Sequence, residues 1–152
     1  MRLIVQRVTR AQVRAEGEPL GEIGRGAAVL VGIGVDDTPE LVDRMADRLL
    51  GLRYFEDPHG RTNLAIGEVD GDYLVVSQFT LLADLRRGRR PGFSDAAAPE
   101  VAEPMVARFA DRLRSSGRRV VSGRFGAAME VELVNDGPFT LVLEGGAESG
   151  PG

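Results

Sequence analysis

The chain contains no cysteine and only one histidine. Without cysteine it can form no disulfide, no thiolate nucleophile and no thiolate metal site. The histidine, His59, lies in the tetrapeptide Asp-Pro-His-Gly at positions 57–60, which is a turn signal. Zinc sites usually draw on several histidines or cysteines, so a lone turn histidine argues against one. We therefore expect no metal and no cofactor.

Familiar catalytic machinery is also missing. No Walker-type phosphate loop occurs, and Gly32 and Gly34 lack the third glycine of a dinucleotide-binding turn. His59 is remote in sequence from every candidate partner, which leaves no plausible Ser–His–Asp set. If the protein is an enzyme, we expect it to act mainly through positioning and oriented dipoles rather than through a strong protein base.

Long apolar runs are absent as well. No run approaches the ~20 residues needed to span a bilayer, and the apolar run at the N-terminus is too short for a signal peptide. The protein is therefore predicted to be cytoplasmic, without a membrane partner. The net charge of −4 creates no global field that attracts nucleic acid, and we expect no DNA partner.

The chain has 152 residues, 43% hydrophobic and 28% charged, which fits one globular domain. We predict a domain over residues 1–144 and a flexible, glycine-rich tail over 145–152. Strands are expected at 1–10, 11–15, 27–33, 54–55, 72–82, 119–121, 127–134 and 139–143.

Two helices are predicted between these strands. Thr38 and Pro39 begin the first, as an N-cap followed by proline at the first helical position. The second carries apolar residues from 101 to 113, and Pro104 either begins it or distorts its first turn. The fold class is α/β of the α+β type: a mostly antiparallel or mixed β-sheet closing toward a barrel, with the two helices packed outside.

The segment Ser-Gln-Phe-Thr-Leu at positions 77–81 follows an apolar strand. Alternation along a strand predicts that Gln78 and Thr80 share one face, while Ser77 and Phe79 share the other. A cleft at this strand end would receive both Gln78 and Thr80. The alternative is that these two side chains simply meet water at the end of the strand.

A second segment, Asn-Asp-Gly-Pro-Phe-Thr at positions 135–140, also ends a strand. Gly137 and Pro138 have no polar side chains, so they can act only through the backbone. A cis Gly–Pro step would aim neighbouring carbonyl oxygens in nearly the same direction, where they could grip an ammonium group. The alternative, which the sequence alone favours, is a tight hairpin turn between strands 127–134 and 139–143.

Arginines cluster in the long loop that we expect over residues 83–98. They are Arg86, Arg87, Arg89 and Arg90, interrupted by a glycine. Arginine side chains match phosphate oxygens in charge and geometry, which suggests a phosphate-binding loop. A solvated charged loop is the equally open alternative.

Taken together, these motifs resemble those of the D-aminoacyl-tRNA deacylases. The resemblance runs from Met1 to about Leu143. It is carried by Val-Gln-Arg-Val at 5–8, the strand and polar segment at 74–81, and Gly-Arg-Arg-Pro-Gly-Phe-Ser at 88–94. It is also carried by Gly-Arg-Phe-Gly-Ala at 123–127 with Met129, and by Val-Asn-Asp-Gly-Pro at 134–138. One departure is Phe139, which follows Gly–Pro where the family commonly has valine.

The resemblance implies hydrolysis of the ester that joins a D-amino acid, or glycine, to the terminal adenosine of tRNA. It also implies a homodimer, in which Gly137 and Pro138 would reach into the partner's pocket as the chiral selector. Arg7 would support that segment. Thr80 and Gln78 would be catalytic, with Ser77 and Phe79 beside them.

The same resemblance implies that Phe125 and Met129 line the adenosine end, and that water attack is assisted by the terminal ribose hydroxyl. It makes the arginine loop a candidate for the acceptor-stem phosphates. The implied partners are therefore aminoacyl-tRNA and a second copy of the chain. A non-catalytic RNA-binding domain and a small-molecule esterase are the alternative functions.

Overall fold

The computed structural model describes residues 1–146. Two helices and eight strands make up its main elements. In chain order they are β1 (Arg2–Ala15), β2 (Glu18–Ile23), β3 (Gly26–Gly32), α1 (Pro39–Gly51), β4 (Arg53–Glu56), β5 (Thr62–Ala65), β6 (Asp72–Ser77), α2 (Pro99–Arg114), β7 (Val120–Ser122) and β8 (Met129–Glu144). Short 3₁₀ helices cover Ile66–Val69 and Phe79–Leu82.

The long strand β1 organises a six-stranded mixed sheet. It pairs antiparallel with β2, β3 and β8, while β6 runs parallel to both β3 and β7. β2 also approaches β7 closely, since a Cβ added at Gly21 would lie 2.5 Å from Cγ1 of Val121. The sheet therefore curls until its two ends nearly meet, as the predicted fold class requires. Strands β4 and β5 form a separate two-stranded sheet.

Both helices cover one face of the main sheet. In α1 the buried positions Leu41, Met45 and Leu49 recur at helical spacing and pack in the main core with α2 and with β1, β3 and β6. Thr38 caps α1 as predicted, because its Oγ1 accepts from the N–H of Leu41 at 3.2 Å. A second core, on the other face of the sheet, lies inside the curled strands.

Three details of the predicted elements were wrong or open. The predicted strands 1–10 and 11–15 are one strand. The predicted strand 72–82 ends at Ser77, because its partner β3 ends at Gly32 and offers no further ladder; the chain then turns into the 3₁₀ helix. The second helix begins at Pro99, so Pro104 lies inside it.

The boundary between domain and tail remains a prediction. Gly145, the first residue of the predicted tail, donates its N–H to the carbonyl oxygen of Met1 at 3.0 Å. The last residues of the tail lie outside the described part of the chain. Within residues 1–146 no helix is both long enough and apolar enough to cross a membrane.

Candidate active site

A cavity of about 620 Å³ opens where β6 ends. Four parts of the chain build its wall: the end of β3, the end of β6 with the start of the 3₁₀ helix Phe79–Leu82, the segment that leads into α2 with the first turns of α2, and the segment between β7 and β8 with the start of β8. The lining residues include Ser77, Gln78, Phe79, Phe93, Ala97, Ala102, Phe125, Met129 and Val131. The wall is thus mostly apolar, with the polar groups gathered at the strand end.

Gln78 and Thr80 meet at the edge of this cavity. The Nε2 of Gln78 donates to the Oγ1 of Thr80 in a short hydrogen bond. The two side chains are neighbours because the chain turns after Ser77, and not because they alternate along a strand as predicted. Thr80 itself is exposed. Gln78 therefore positions the Thr80 hydroxyl beside the cavity.

Within residues 1–146, the cavity wall carries no ionisable side chain. Its lining residues within the described chain are aliphatic, aromatic, Gly, Pro, Ser, Gln and Met only. A general base must lie within hydrogen-bonding reach of the proton that it removes. Among residues 1–146, the wall therefore offers an apolar surface that can orient a substrate, but no carboxylate or imidazole to take up a proton.

The second predicted segment forms a bulge within β8 and not a hairpin turn. Asn135 pairs with Val8 and Thr140 pairs with Gln6, so residues 136–139 oppose only Arg7 of β1. Both halves of β8 thus stay on the same neighbouring strand, which rules out the tight-turn alternative. The Gly137–Pro138 peptide bond in this bulge is cis, and both residues are exposed.

Arg7 supports the bulge from behind. Its side chain is buried, its Nε donates to the carbonyl oxygen of Asp136 at 3.1 Å, and its Nη1 donates to the carbonyl oxygen of Tyr54 at 2.8 Å. The guanidinium also lies over the ring of Phe139. One cation therefore ties together β1, β4 and the bulge.

Polar contacts on the other side fix the course of the bulge. Oδ1 of Asn135 accepts the N–H of Phe139 at 2.7 Å, and Nδ2 of Asn135 donates to Oγ1 of Thr140 at 3.0 Å. Gly137 has φ +133°, and a Cβ placed there would lie 3.1 Å from Nη2 of Arg7. The bulge is therefore held in place on both sides, and a side chain at 137 would be strained and would have to displace its neighbours slightly.

The arginine loop is closed at its base and exposed along its length. Asp84 and Gly92 exchange backbone hydrogen bonds of 2.7 and 3.0 Å. Asp84 also accepts two hydrogen bonds from the guanidinium of Arg86, which lower the pKa of this carboxyl to about 2. Arg87, Arg89 and Arg90 are exposed, and no carboxylate of residues 1–146 lies within 4 Å of them.

Comparison with known proteins decides the family. The family model described as D-Tyr-tRNA(Tyr) deacylase matches residues 4–144. The chain belongs to this family. Family membership places it among the hydrolases that act on ester bonds.

Individual relatives agree with this family assignment. Proteins named D-aminoacyl-tRNA deacylase from Symbiobacterium thermophilum and Anaeromyxobacter dehalogenans are 52% and 54% identical over 144 residues, covering 95% of this chain and 95% and 97% of theirs. The solved structure of a protein named c-Myc DNA Unwinding Element Binding Protein has TM-score 0.90 and 40% identity, covering 97% of this chain and 100% of its own. A probable eukaryotic D-amino acid tRNA deacylase shares the fold, with TM-score 0.81, 21% identity and coverage of 93% and 97%.

The structure divides the predicted deacylase residues into two groups. Ser77, Gln78, Phe79, Phe125 and Met129 line the cavity, with Thr80 at its edge. Arg7, Gly137 and Pro138 do not line it and form the bulge site instead. The sequence reasoning missed the apolar wall supplied by Ala97, Ala102 and their neighbours, since small residues in and before a helix carry no sequence signal for a site.

Proposed function

We propose that this protein hydrolyses the ester between a D-amino acid and the terminal adenosine of tRNA, releasing free D-amino acid and tRNA. One observation carries this proposal: the family match extends over residues 4–144 and includes the polar segment that borders the cavity. The protein is then a D-aminoacyl-tRNA deacylase that removes wrongly charged tRNA from translation. A cytoplasmic location is part of the same proposal.

The proposed chemistry assigns the proton transfer to the RNA. Water attacks the ester carbonyl carbon, the bond to the ribose oxygen breaks, and that oxygen leaves with a proton. Because no lining side chain among residues 1–146 is ionisable, we assign assistance of the attack to the neighbouring ribose hydroxyl of the terminal adenosine. Thr80, positioned by Gln78, and Ser77 are assigned to orient the reacting ester.

The bulge of β8 is proposed as the chiral selector. The carbonyl oxygens of Gly137 and Pro138 would hold the substrate ammonium so that an L side chain collides with the wall while a D side chain points to solvent. Exposure of both residues, and their absence from the cavity lining of their own chain, support a role in the cavity of a second copy. The proposed active species is therefore a homodimer.

Two further assignments follow from this selector and from the loop. Glycine has no side chain to collide, so a device that rejects only L side chains admits glycyl-tRNA, and we propose glycine mischarged on tRNA-Ala as a second substrate. The arginine loop, with Arg87, Arg89 and Arg90 exposed, is proposed to contact acceptor-stem phosphates.

The decisive experiment follows ester loss from D-tyrosyl-tRNA and L-tyrosyl-tRNA. Rapid loss of the D ester alone supports the proposal. Binding without turnover indicates an RNA-binding domain, and equal turnover of free D-tyrosine esters indicates a small-molecule esterase. A DNA duplex serves as competitor, because one structural relative is named for binding a DNA element; we expect it not to inhibit.

Subunit mixing tests the cross-subunit selector separately. Thr80→Val impairs the cavity and Gly137→Ala impairs the bulge, so each variant alone is expected to lose most of its activity. A randomly mixed sample contains dimers that pair one intact cavity with one intact bulge, and about a quarter of wild-type activity should return. No recovery from a mixture shown to contain heterodimers contradicts the cross-subunit assignment.

A further inference from the structure

Two exposed aromatic side chains stand together where the cavity opens. Phe79 and Phe93 pack edge to face, with ring centroids 5.0 Å apart and planes inclined by 68°. Phe79 is 56% exposed and Phe93 is 40% exposed, although both residues also line the cavity. Large aromatic surfaces usually become buried, so a pair left open at the mouth of a site indicates a binding surface.

The backbone fixes this pair firmly. Phe93 directly follows Gly92, which closes the base of the arginine loop against Asp84. Beyond Phe93, the N–H of Ala96 donates to the Phe93 carbonyl oxygen at 3.1 Å, and the N–H of Ala97 donates to the carbonyl oxygen of Ile33 at 2.9 Å. The ring is therefore presented by a segment anchored to the main sheet.

The chemistry of this surface matches unpaired nucleic acid. Proteins bind single strands through aromatic rings that stack on bases, combined with basic groups that follow the phosphates. Here Arg89 and Arg90 come shortly before Phe93 in the chain, and neither has a carboxylate within 4 Å among the described residues. Phosphate binding and base stacking would then be provided by one continuous loop.

We propose that Phe79 and Phe93 form a stacking platform for the nucleobase that precedes the terminal adenosine of tRNA. This inference rests on the proposed function, in which the terminal adenosine occupies the cavity. The chain of the RNA must leave through the mouth, and the aromatic pair lies at the mouth. Every nucleobase has a π-face that can stack on an aromatic ring, so the platform should bind all four bases without preference.

The test compares two substrates with Phe93→Leu, which keeps an apolar side chain but removes the ring. D-tyrosyl-tRNA carries the preceding base, whereas the D-tyrosyl ester of adenosine lacks it. Base–aromatic stacking contributes about 1–3 kcal/mol, so kcat/KM for the tRNA should fall by roughly 5- to 150-fold. Because Phe93 also lines the cavity, the adenosine ester can lose some rate in the variant, but its fall should be clearly smaller than that of the tRNA ester, and Phe93→Tyr should restore the tRNA rate.

Removal of the base itself provides the matched control on the RNA side. A D-tyrosyl-tRNA that is abasic at the penultimate position should lose the same factor with wild type and no more with Phe93→Leu. Val101→Ala, at an exposed apolar residue that does not line the cavity, should leave both substrates unaffected. An equal fall with both substrates, or no penalty for the abasic tRNA, overturns the platform.

Failure of the proposed function is distinguishable from failure of the platform. If wild type hydrolyses neither tRNA ester, binding of a short single-stranded RNA still measures the platform without turnover. Weaker binding by Phe93→Leu and full binding by Phe93→Tyr then support it, and equal binding by all three proteins rejects it.

Discussion

The guanidinium carbon of Arg7 lies 4.6 Å from the centre of the Phe139 ring. The same ring stacks on Tyr54, with centroids 6.4 Å apart, and the Tyr54 carbonyl oxygen accepts from Arg7. A buried cation is thus held between an aromatic face and two carbonyl oxygens, and the exposed Gly137–Pro138 segment rests on it. The conformation of the bulge therefore depends on residues that never reach its surface.

Replacement of Arg7 by lysine should disable the bulge. Lysine keeps the charge, but it cannot bond two separated carbonyl oxygens while lying flat on a ring. An unpaired buried acceptor costs about 1–3 kcal/mol, so the free energy of unfolding should fall by that amount. We expect kcat/KM for D-tyrosyl-tRNA to fall at least tenfold, as measured by ester loss. Arg10→Lys, exposed on the same strand, is the control and should change neither quantity.

Gly137→Ala should change activity more than stability. The backbone at 137 has φ +133°, and the added Cβ would crowd Nη2 of Arg7 and the Phe139 nitrogen. Because the bulge is at the surface, it can shift with only a moderate loss of folding free energy. The same shift would reorient the carbonyl oxygens that are proposed to hold the substrate. We expect at least a tenfold loss of D-ester turnover with a small change in melting temperature.

Gly60→Ala is the matched control for that variant. Gly60 also has positive φ, at +74°, but nothing lies within 4 Å of an added Cβ and the residue is in an exposed turn. Gly60→Ala should therefore lose only the stability that the strained backbone costs, and its turnover of the D ester should be normal. Equal activities of the two variants would contradict the role given to the bulge.

Thr80→Val should lower kcat because it removes the hydroxyl that Gln78 holds while keeping the side-chain shape. Loss of one hydrogen-bonding group to a reacting ester costs about 1–3 kcal/mol, or roughly 5- to 150-fold in rate. Thr80→Ser should recover most of the rate, and Thr62→Val, at an exposed threonine in β5, should be neutral. A fully active Thr80→Val protein would leave Thr80 without a role.

The pH–rate profile should show no protein base. Because no described residue that lines the cavity has an ionisable side chain, kcat measured from pH 5 to 7 should lack an inflection that belongs to a carboxylate or imidazole. His59→Asn should leave the profile unchanged, since His59 is exposed in a turn. An inflection that disappears on mutation of one protein residue would identify a base and contradict the RNA-assisted mechanism.

The arginines of the loop should differ in how much each contributes to the salt dependence of tRNA binding. Arg89→Gln should reduce the slope of log K against log salt for tRNA by about 1, because one phosphate contact is lost. Arg86 is already engaged by Asp84, so Arg86→Gln should act less on the slope. It should also raise the depressed pKa of Asp84, about 2, toward its ordinary range, and a carboxyl titration by NMR checks this. If both variants and wild type show equal slopes of log K against log salt, the loop is solvated and does not contact the phosphates.

The depressed pKa of Asp84 also sets the pH range over which the Asp84–Arg86 ion pair holds the base of the loop. A carboxyl whose pKa is lowered in the folded protein contributes its full stabilisation above its ordinary pKa. That stabilisation is lost as the pH falls through the depressed pKa. The Asp84–Arg86 contact should therefore persist throughout the range in which tRNA binding is measured. Chemical shifts of the loop that move between pH 5 and 8 would contradict this.

Short sequence motifs correctly predicted those elements whose limits depend only on residues nearby in the sequence. Thr38 and Pro39 placed the start of α1 because capping involves only the first turn. The start of β6 was also found, but its end at Ser77 was not, since that end depends on where the distant strand β3 stops. The bulge at 136–139 was open for the same reason: an excellent turn sequence becomes a bulge only when both flanking halves pair with β1.

Composition and motif order alone excluded thiol chemistry, argued against zinc and indicated the deacylase family, because residue identity decides those questions. Only the tertiary structure showed that the polar strand end and the Gly137–Pro138 bulge lie apart in one chain, and that the part of the cavity wall built by residues 1–146 has no ionisable group. It also showed that Arg7 is the buried support of the bulge. The bulge and its support depend on pairing between β1 and β8, whose paired residues lie more than a hundred positions apart, and no local pattern encodes that pairing.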